Sequence, residues 1–114
     1  MEINVFLNAC KVTGENPEDA KFNSGSIDTI AYEKLKVIVK AKNQGWKAAF
    51  DNGNQLKWMP YFEKRSSGLV FVIADYWLTC ALVPSHLCFR DEETLTETVT
   101  NPEVLALYNE YMLS

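Results

Sequence analysis

The sequence has 114 residues, of which 47% are hydrophobic and 23% are charged, and its net charge is −4. This length predicts a single domain over residues 1–114, with a core that needs no disulfides. The longest apolar run, residues 69–74, is too short to span a bilayer. Because the first residues lack the basic region and long apolar run of a secretory signal, we expect a cytoplasmic protein without membrane contact.

The first half of the sequence has the pattern of two helices. A helix is predicted over residues 3–12, with Gly14 as its stop. After a short turn at Asn16-Pro17, a long helix is predicted from Ser26 or Asp28 to about residue 43. The apolar residues expected to face the core are Ile3, Phe6, Leu7 and Cys10 in the first helix, and Ile27, Ile30, Ala31, Leu35, Ile38 and Val39 in the second.

After Trp46 the apolar pattern changes to a period of two, which predicts strands. The first covers residues 58–63, and Pro60 within it suits a sheet edge or a bulge. A polar hairpin loop at residues 64–68 leads to residues 69–74, which read as a central strand buried on both faces. Residues 76–83 are predicted to form the next strand, after a bend at Asp75, and residues 87–89 to form a short fourth segment of the sheet.

The last part of the sequence predicts two more helices. Asp91 is expected to cap the first, and Asn101-Pro102 breaks it and starts another. The buried face of the second is expected to contain Leu105, Tyr108 and Met112. The complete order predicts an α+β fold, in which N- and C-terminal helices flank an antiparallel β-meander of three to four strands.

The only histidine, His86, lies two residues before Cys88 in the stretch PSHLCF. A nucleophile and base need direct contact and an orienting group, which this spacing does not supply. Cys10, Cys80, Cys88 and His86 lack the close pairs of a structural zinc site, so we expect no metal or other cofactor. We interpret PSHLCF as a structural strand and the cysteines as free, buried side chains.

Carboxylates and aromatic side chains are the remaining candidates for a site. Glu92, Glu93 and Glu97 fit a solvated helix end better than acid–base catalysis. Aromatic residues lie on both faces of the predicted sheet, and the common outcome is that they are core. The alternative is an exposed binding patch, for which the candidates are Trp58, Tyr61 and Trp77.

Five short stretches form a set of aromatic motifs: NQGW at residues 43–46, KWMPYF at 57–62, GLVF at 68–71, YW at 76–77 and SHLCFR at 85–90. Together they resemble a family of short uncharacterised proteins from prophage-like and mobile-element regions of gut anaerobic bacteria. The family has patterns such as N-x-G-W, Y-P-W-F and S-R-L-C-F-K. The similarity covers roughly residues 32–113 of this chain. His86 replaces an arginine of that pattern, and Asn101-Pro102 interrupts a helix that is continuous in it. The resemblance implies no activity.

We therefore expect a non-enzymatic interaction or accessory module of phage or mobile-element type, whose partner is another protein or a second copy. One alternative is binding of single-stranded nucleic acid through sheet aromatics. That alternative needs a basic groove near the strands, where the sequence offers Lys57, Lys64, Arg65 and Arg90, and the acidic net charge disfavours it. The other alternative is a small enzyme that uses Cys88 or a carboxylate.

Overall fold

The computed structural model describes residues 4–49, 52–78 and 85–113. In chain order it contains α1 (Val5–Thr13), α2 (Ile27–Asn43), β1 (Lys57–Arg65), β2 (Gly68–Trp77), α3 (Glu92–Val99) and α4 (Pro102–Leu113). Short 3₁₀ turns lie at Ala20–Phe22 and Ser85–Leu87. The two strands pair in an antiparallel sheet, so the fold is α+β. None of the helices in these ranges has the length and apolar character needed to cross a membrane.

Helix α2 lies at the centre of the helical layer and contacts α1 and α4. Its predicted apolar face is confirmed at Ala31, Leu35 and Ile38, which are fully buried. The prediction was wrong for Ile27, which is 61% exposed in the first turn. The core therefore begins one turn after the start of the helix.

Helix α1 ends as predicted at Gly14, whose φ of +80° is unfavourable for residues with a side chain. Its buried face is shifted from the predicted one, since Val5 and Ala9 are buried and Leu7 is 46% exposed. The start of α1 is capped by a side chain that lies far away in the sequence. Glu103 accepts the backbone N–H groups of Val5 and Phe6, each over 2.9 Å.

The strands form one hairpin, with Ser66 and Ser67 at its turn. The predicted bend at Asp75 was wrong, because β2 continues through it to Trp77. The described residues contain no third or fourth strand of the expected meander, although residues 79–83 of the predicted third strand lie outside them. The expected strand at PSHLCF is a 3₁₀ turn followed by one bridge, in which Phe89 pairs with Trp58.

The prediction of a central strand buried on both faces was also wrong. No strand other than β1 pairs with β2 in the part of the chain that the structure describes. Val72 and Ile73 are 54% and 56% exposed, whereas Leu69 is buried. Within the described ranges, β2 is therefore an edge strand with one face against the core.

The predicted start signals of the last two helices are confirmed. Asp91 Oδ1 accepts the N–H of Thr94 over 2.7 Å at the start of α3. Asn101 Oδ1 accepts the N–H of Glu103 over 2.9 Å, where α3 has ended and α4 begins. In α4, Tyr108 is buried and Leu105 is partly buried as expected, but Met112 is 49% exposed.

Candidate interaction surface on the hairpin

The structure does not bring Trp58 and Tyr61 together, because residues three apart on a strand lie on opposite faces. Trp58 packs against the helical core, and its ring lies 5.1 Å from that of Tyr76. Tyr61 lies on the other face, opposite Ile73, and is partly exposed. The backbone of Trp77 ends β2 opposite Lys57. Trp58 and Tyr61 thus belong to different surfaces.

The most exposed apolar side chains of the hairpin lie on β2. Val72, Ile73 and Tyr76 are 54%, 56% and 47% exposed. The register shifts between Tyr61 and Phe62, so Val72 has no direct partner on β1 and forms a bulge with Ile73. The sequence prediction missed this surface because it counted both residues as core.

One end of β2 shows which backbone groups face its outer edge. The N–H of Leu69 donates to Asn109 Oδ1 over 2.8 Å, so it points away from β1. Backbone groups alternate in direction along a strand. Phe71, two residues later and before the bulge, therefore also directs its N–H and C=O outward.

The other end of β2 gives the same information independently. Trp58 pairs through its N–H and C=O with Phe89, over 3.0 and 2.8 Å, on the side of β1 away from β2. Tyr76 lies directly opposite Trp58, so its backbone groups also point outward, as do those of Ala74. The N–H of Tyr76 is occupied by Asp75 Oδ1 at 2.8 Å.

Among residues 4–49, 52–78 and 85–113, nothing pairs with the middle of the outer edge. Side chains occupy the outward N–H groups at Leu69 and Tyr76, near the two ends. Phe71 and Ala74 have no such side-chain acceptor among the described residues. An edge of this kind is a template for pairing with another strand.

A groove of about 520 Å³ lies between this edge and α4. It is lined chiefly by uncharged residues: Leu69, Phe71, Pro102, Leu105, Ala106 and Asn109. Asn109 fixes the two elements to each other through its bond to Leu69. The groove can therefore accept uncharged side chains from a segment that lies along β2.

Two of the four basic side chains near the strands, those of Lys57 and Arg65, are engaged in contacts within the chain. Lys57 is fully buried, and its ammonium group donates to the carbonyl groups of Asn52, Gln55 and Leu78. Arg65 lies 3.4 Å from a Glu63 carboxylate oxygen. These contacts leave few free cations for phosphate groups along the sheet.

A second cleft of about 400 Å³ lies beside α2 and contains lysines, Trp46 and His86. Two of its lysines are neutralised: Lys21 lies 2.9 Å from Glu15, and Lys36 lies 2.9 Å from Glu33. The cleft therefore has a mixed charge, and nothing in it selects one class of ligand.

His86 and Cys88 occupy different environments. His86 is exposed, whereas Cys88 is fully buried. Burial raises the pKa of Cys88 to about 11, although the nearby Lys57 opposes this, so the thiol is protonated at neutral pH. Within the described ranges, no group of three or more His, Cys, Asp or Glu could hold a metal ion, and Cys80 lies outside those ranges.

No family profile, curated protein or solved structure matches the chain. A functional interpretation must therefore come from the residues and their geometry.

Proposed function

We propose that the chain is a non-enzymatic protein-interaction module, in which the outer edge of β2 binds an extended segment of a partner protein. The observation that carries this proposal is the pair of outward-facing backbone groups at Phe71 and Ala74, beside the exposed side chains of Val72 and Ile73. The bound segment would form a third strand, with backbone hydrogen bonds supplying affinity.

The two edges of the hairpin differ in their protection. Strand β1 has Pro60, which lacks an N–H, on its outer edge, and Phe89 pairs with Trp58 there. Natural edges are usually protected by proline, charge or a covering element. Strand β2 has ten residues, with Asp75 as its one charged side chain. Its weak protection supports a binding role for that edge.

The groove beside α4 supports the choice of ligand class. Side chains of a bound strand alternate between the two faces of the sheet. Those on the helical face would enter the groove, where Leu105, Ala106 and Asn109 provide an uncharged lining. We therefore propose that the segment carries apolar or aromatic side chains at alternate positions.

We also propose that the module acts in the cytoplasm as an accessory protein of phage or mobile-element type. The resemblance of the motifs at residues 57–62 and 85–90 to proteins of that type supports this setting. The binding mode at β2 does not depend on it.

The test has two steps. Binders are selected from a displayed library of short, extended peptides, and the changes in the amide chemical shifts of the protein are then measured by NMR on addition of each selected peptide. We expect the largest shifts at Phe71, Ala74 and the facing residues of α4. Ile73→Lys should abolish binding by placing a charge on the edge. Leu7→Lys, which changes an exposed apolar residue on α1, is the matched control and should bind normally. Selected peptides that shift other regions, or no selected peptides at all, would overturn the proposal.

A further inference from the structure

We infer that the segment bound at this edge is β2 of a second copy, antiparallel to the first, with a two-fold axis at the Val72–Ile73 peptide. This inference rests on the proposed function, and it names the partner. It would join two hairpins into a continuous four-stranded sheet. Homodimers with two-fold symmetry are the most common soluble oligomers.

The spacing of the outward groups on β2 supports a second copy. Outward backbone groups lie at Leu69, Phe71, Ala74 and Tyr76, with the bulge in the middle. Under the two-fold axis, Phe71 faces Ala74 of the second copy, and Leu69 faces Tyr76 of the second copy. A regular strand directs its backbone N–H and C=O groups to one side at every second residue. Its groups can therefore align with those of β2 on one side of the bulge but not on both. A strand with the same bulge matches both halves.

The occupied positions fit the same register. The N–H of Leu69 is held by Asn109, and the N–H of Tyr76 is held by Asp75. These two positions face each other across the axis, so the backbone hydrogen bonds between the copies are confined to Phe71 and Ala74, and the outward carbonyls of Leu69 and Tyr76 remain towards solvent. The open N–H groups of Phe71 and Ala74 face open carbonyl groups.

Charge and shape are also compatible with self-pairing. Asp75 faces Val70 of the second copy, so its charge does not oppose a like charge. Leu69 and Tyr76 both lie on the helical face, since Leu69 is in the core and Tyr76 packs against Trp58. Tyr76 of the second copy therefore lies at the mouth of the groove beside Leu105, where its half-exposed ring becomes buried.

Sedimentation equilibrium over a range of protein concentrations tests the inference. The apparent mass should rise from 13.0 kDa towards twice that value. A pair of variants at Val70 tests the register, because this residue faces Asp75 of the second copy. Val70 also lies opposite Glu63 of its own β1, so each variant is compared in the wild-type and Asp75→Asn backgrounds, which differ in the charge that the second copy presents. Val70→Glu should weaken the dimer by roughly fivefold through two symmetric like-charge pairs, and Val70→Lys should strengthen it. Circular dichroism of both variants checks that they remain folded.

The outcomes separate this inference from the proposed function. A wild-type protein that remains monomeric at all concentrations, while selected peptides still shift Phe71 and Ala74, overturns the second copy as partner and leaves the binding edge standing. If the protein dimerises but Val70→Glu and Val70→Lys behave alike, the dimer uses another register or surface and the inference is wrong. If neither dimer nor peptide binding occurs, both proposals fail.

Discussion

The side chain of Asn43 joins the end of α2 to the segment that contains Cys88. Its Nδ2 donates to the carbonyl of Cys88 over 2.9 Å, and its Oδ1 accepts the N–H of Arg90 over 3.1 Å. Asn43 is buried, so water does not readily replace these bonds. One amide thereby satisfies two backbone groups of a segment that is joined to β1 by the bridge between Phe89 and Trp58.

We expect Asn43→Ala to lower the free energy of unfolding by about 2–4 kcal/mol, because it leaves buried backbone groups of Cys88 and Arg90 without partners. Asn43→Asp should also destabilise, since a carboxylate cannot donate to the Cys88 carbonyl. Urea denaturation measures both effects. Lys40→Ala, at an exposed position of the same helix, is the control. If Asn43→Ala costs no more than Lys40→Ala, the segment is held by other contacts.

The long-range cap of α1 gives a second prediction. Glu103→Ala should lower the free energy of unfolding by about 1–3 kcal/mol, because it removes charged acceptors from the N–H groups of Val5 and Phe6. Glu103→Gln retains one acceptor oxygen and should lose less. Glu97→Ala removes an exposed carboxylate from α3 and serves as the control. Equal losses for the variants at Glu103 and Glu97 would contradict a capping role.

For a buried hydroxyl, we expect that its removal does not lower the stability of the fold. Tyr108 Oη is buried without a hydrogen-bond partner among the described residues, while the ring lies 4.9 Å from Phe62. Burial raises the pKa of this phenol. We expect Tyr108→Phe to leave stability unchanged or to increase it by about 1 kcal/mol, because the ring is kept and an unpaired polar group is removed. Thermal denaturation of the two proteins decides this, and a clear loss would show that the hydroxyl is bonded.

The cap of α3 predicts a pH dependence. The pKa of Asp91 is lowered, first because its carboxylate accepts the N–H of Thr94. A lowered folded-state pKa stabilises the fold above the unfolded pKa of about 4, and this stabilisation is lost as the pH falls through the folded pKa. Asp91→Ala should cost about 1 kcal/mol at pH 7, and the difference from wild type should shrink below pH 4. A difference that stays constant from pH 7 to pH 2 would contradict the assignment.

Neighbouring residues of β2 test its assignment as an edge strand. Phe71 packs against the core, with its ring 6.3 Å from that of Phe62, whereas Val72 is 54% exposed. Phe71→Ser should cost about 2–4 kcal/mol, and Val72→Ser less than about 1 kcal/mol. Chemical denaturation of both variants gives the comparison. Equal large losses would restore the prediction of a strand buried on both faces.

The sequence predicted the helices well because their signals are local. The glycine at position 14, the carboxylate of Asp91 and the pair Asn101-Pro102 each act within one turn of the chain. Periodicity also located most of the core of α2. It failed for Ile27 and Leu7, because the edge of a core depends on which other elements reach it, and a single helix pattern does not contain that information.

The sheet was predicted less well because its exposure is decided by non-local pairing. The apolar run at residues 69–74 suits either a central strand or an edge strand that binds another chain. The bulge at Val72 depends on the register against Tyr61, which no local pattern reveals. Of the expected patch, Trp58 packs against the core, and Tyr61 lies opposite Ile73 beside the proposed interface.

The cap that Glu103 provides has a consequence for the order in which the chain folds during synthesis. Val5 is synthesised before Glu103, and the carboxylate that receives its N–H is added 98 residues later. Helix α1, with nine residues, is too short to be stable on its own in water. In a nascent chain that stops before α4, α1 should therefore be only partly folded and accessible to chaperones and proteases. The first helix in the sequence is thus expected to be among the last to become protected.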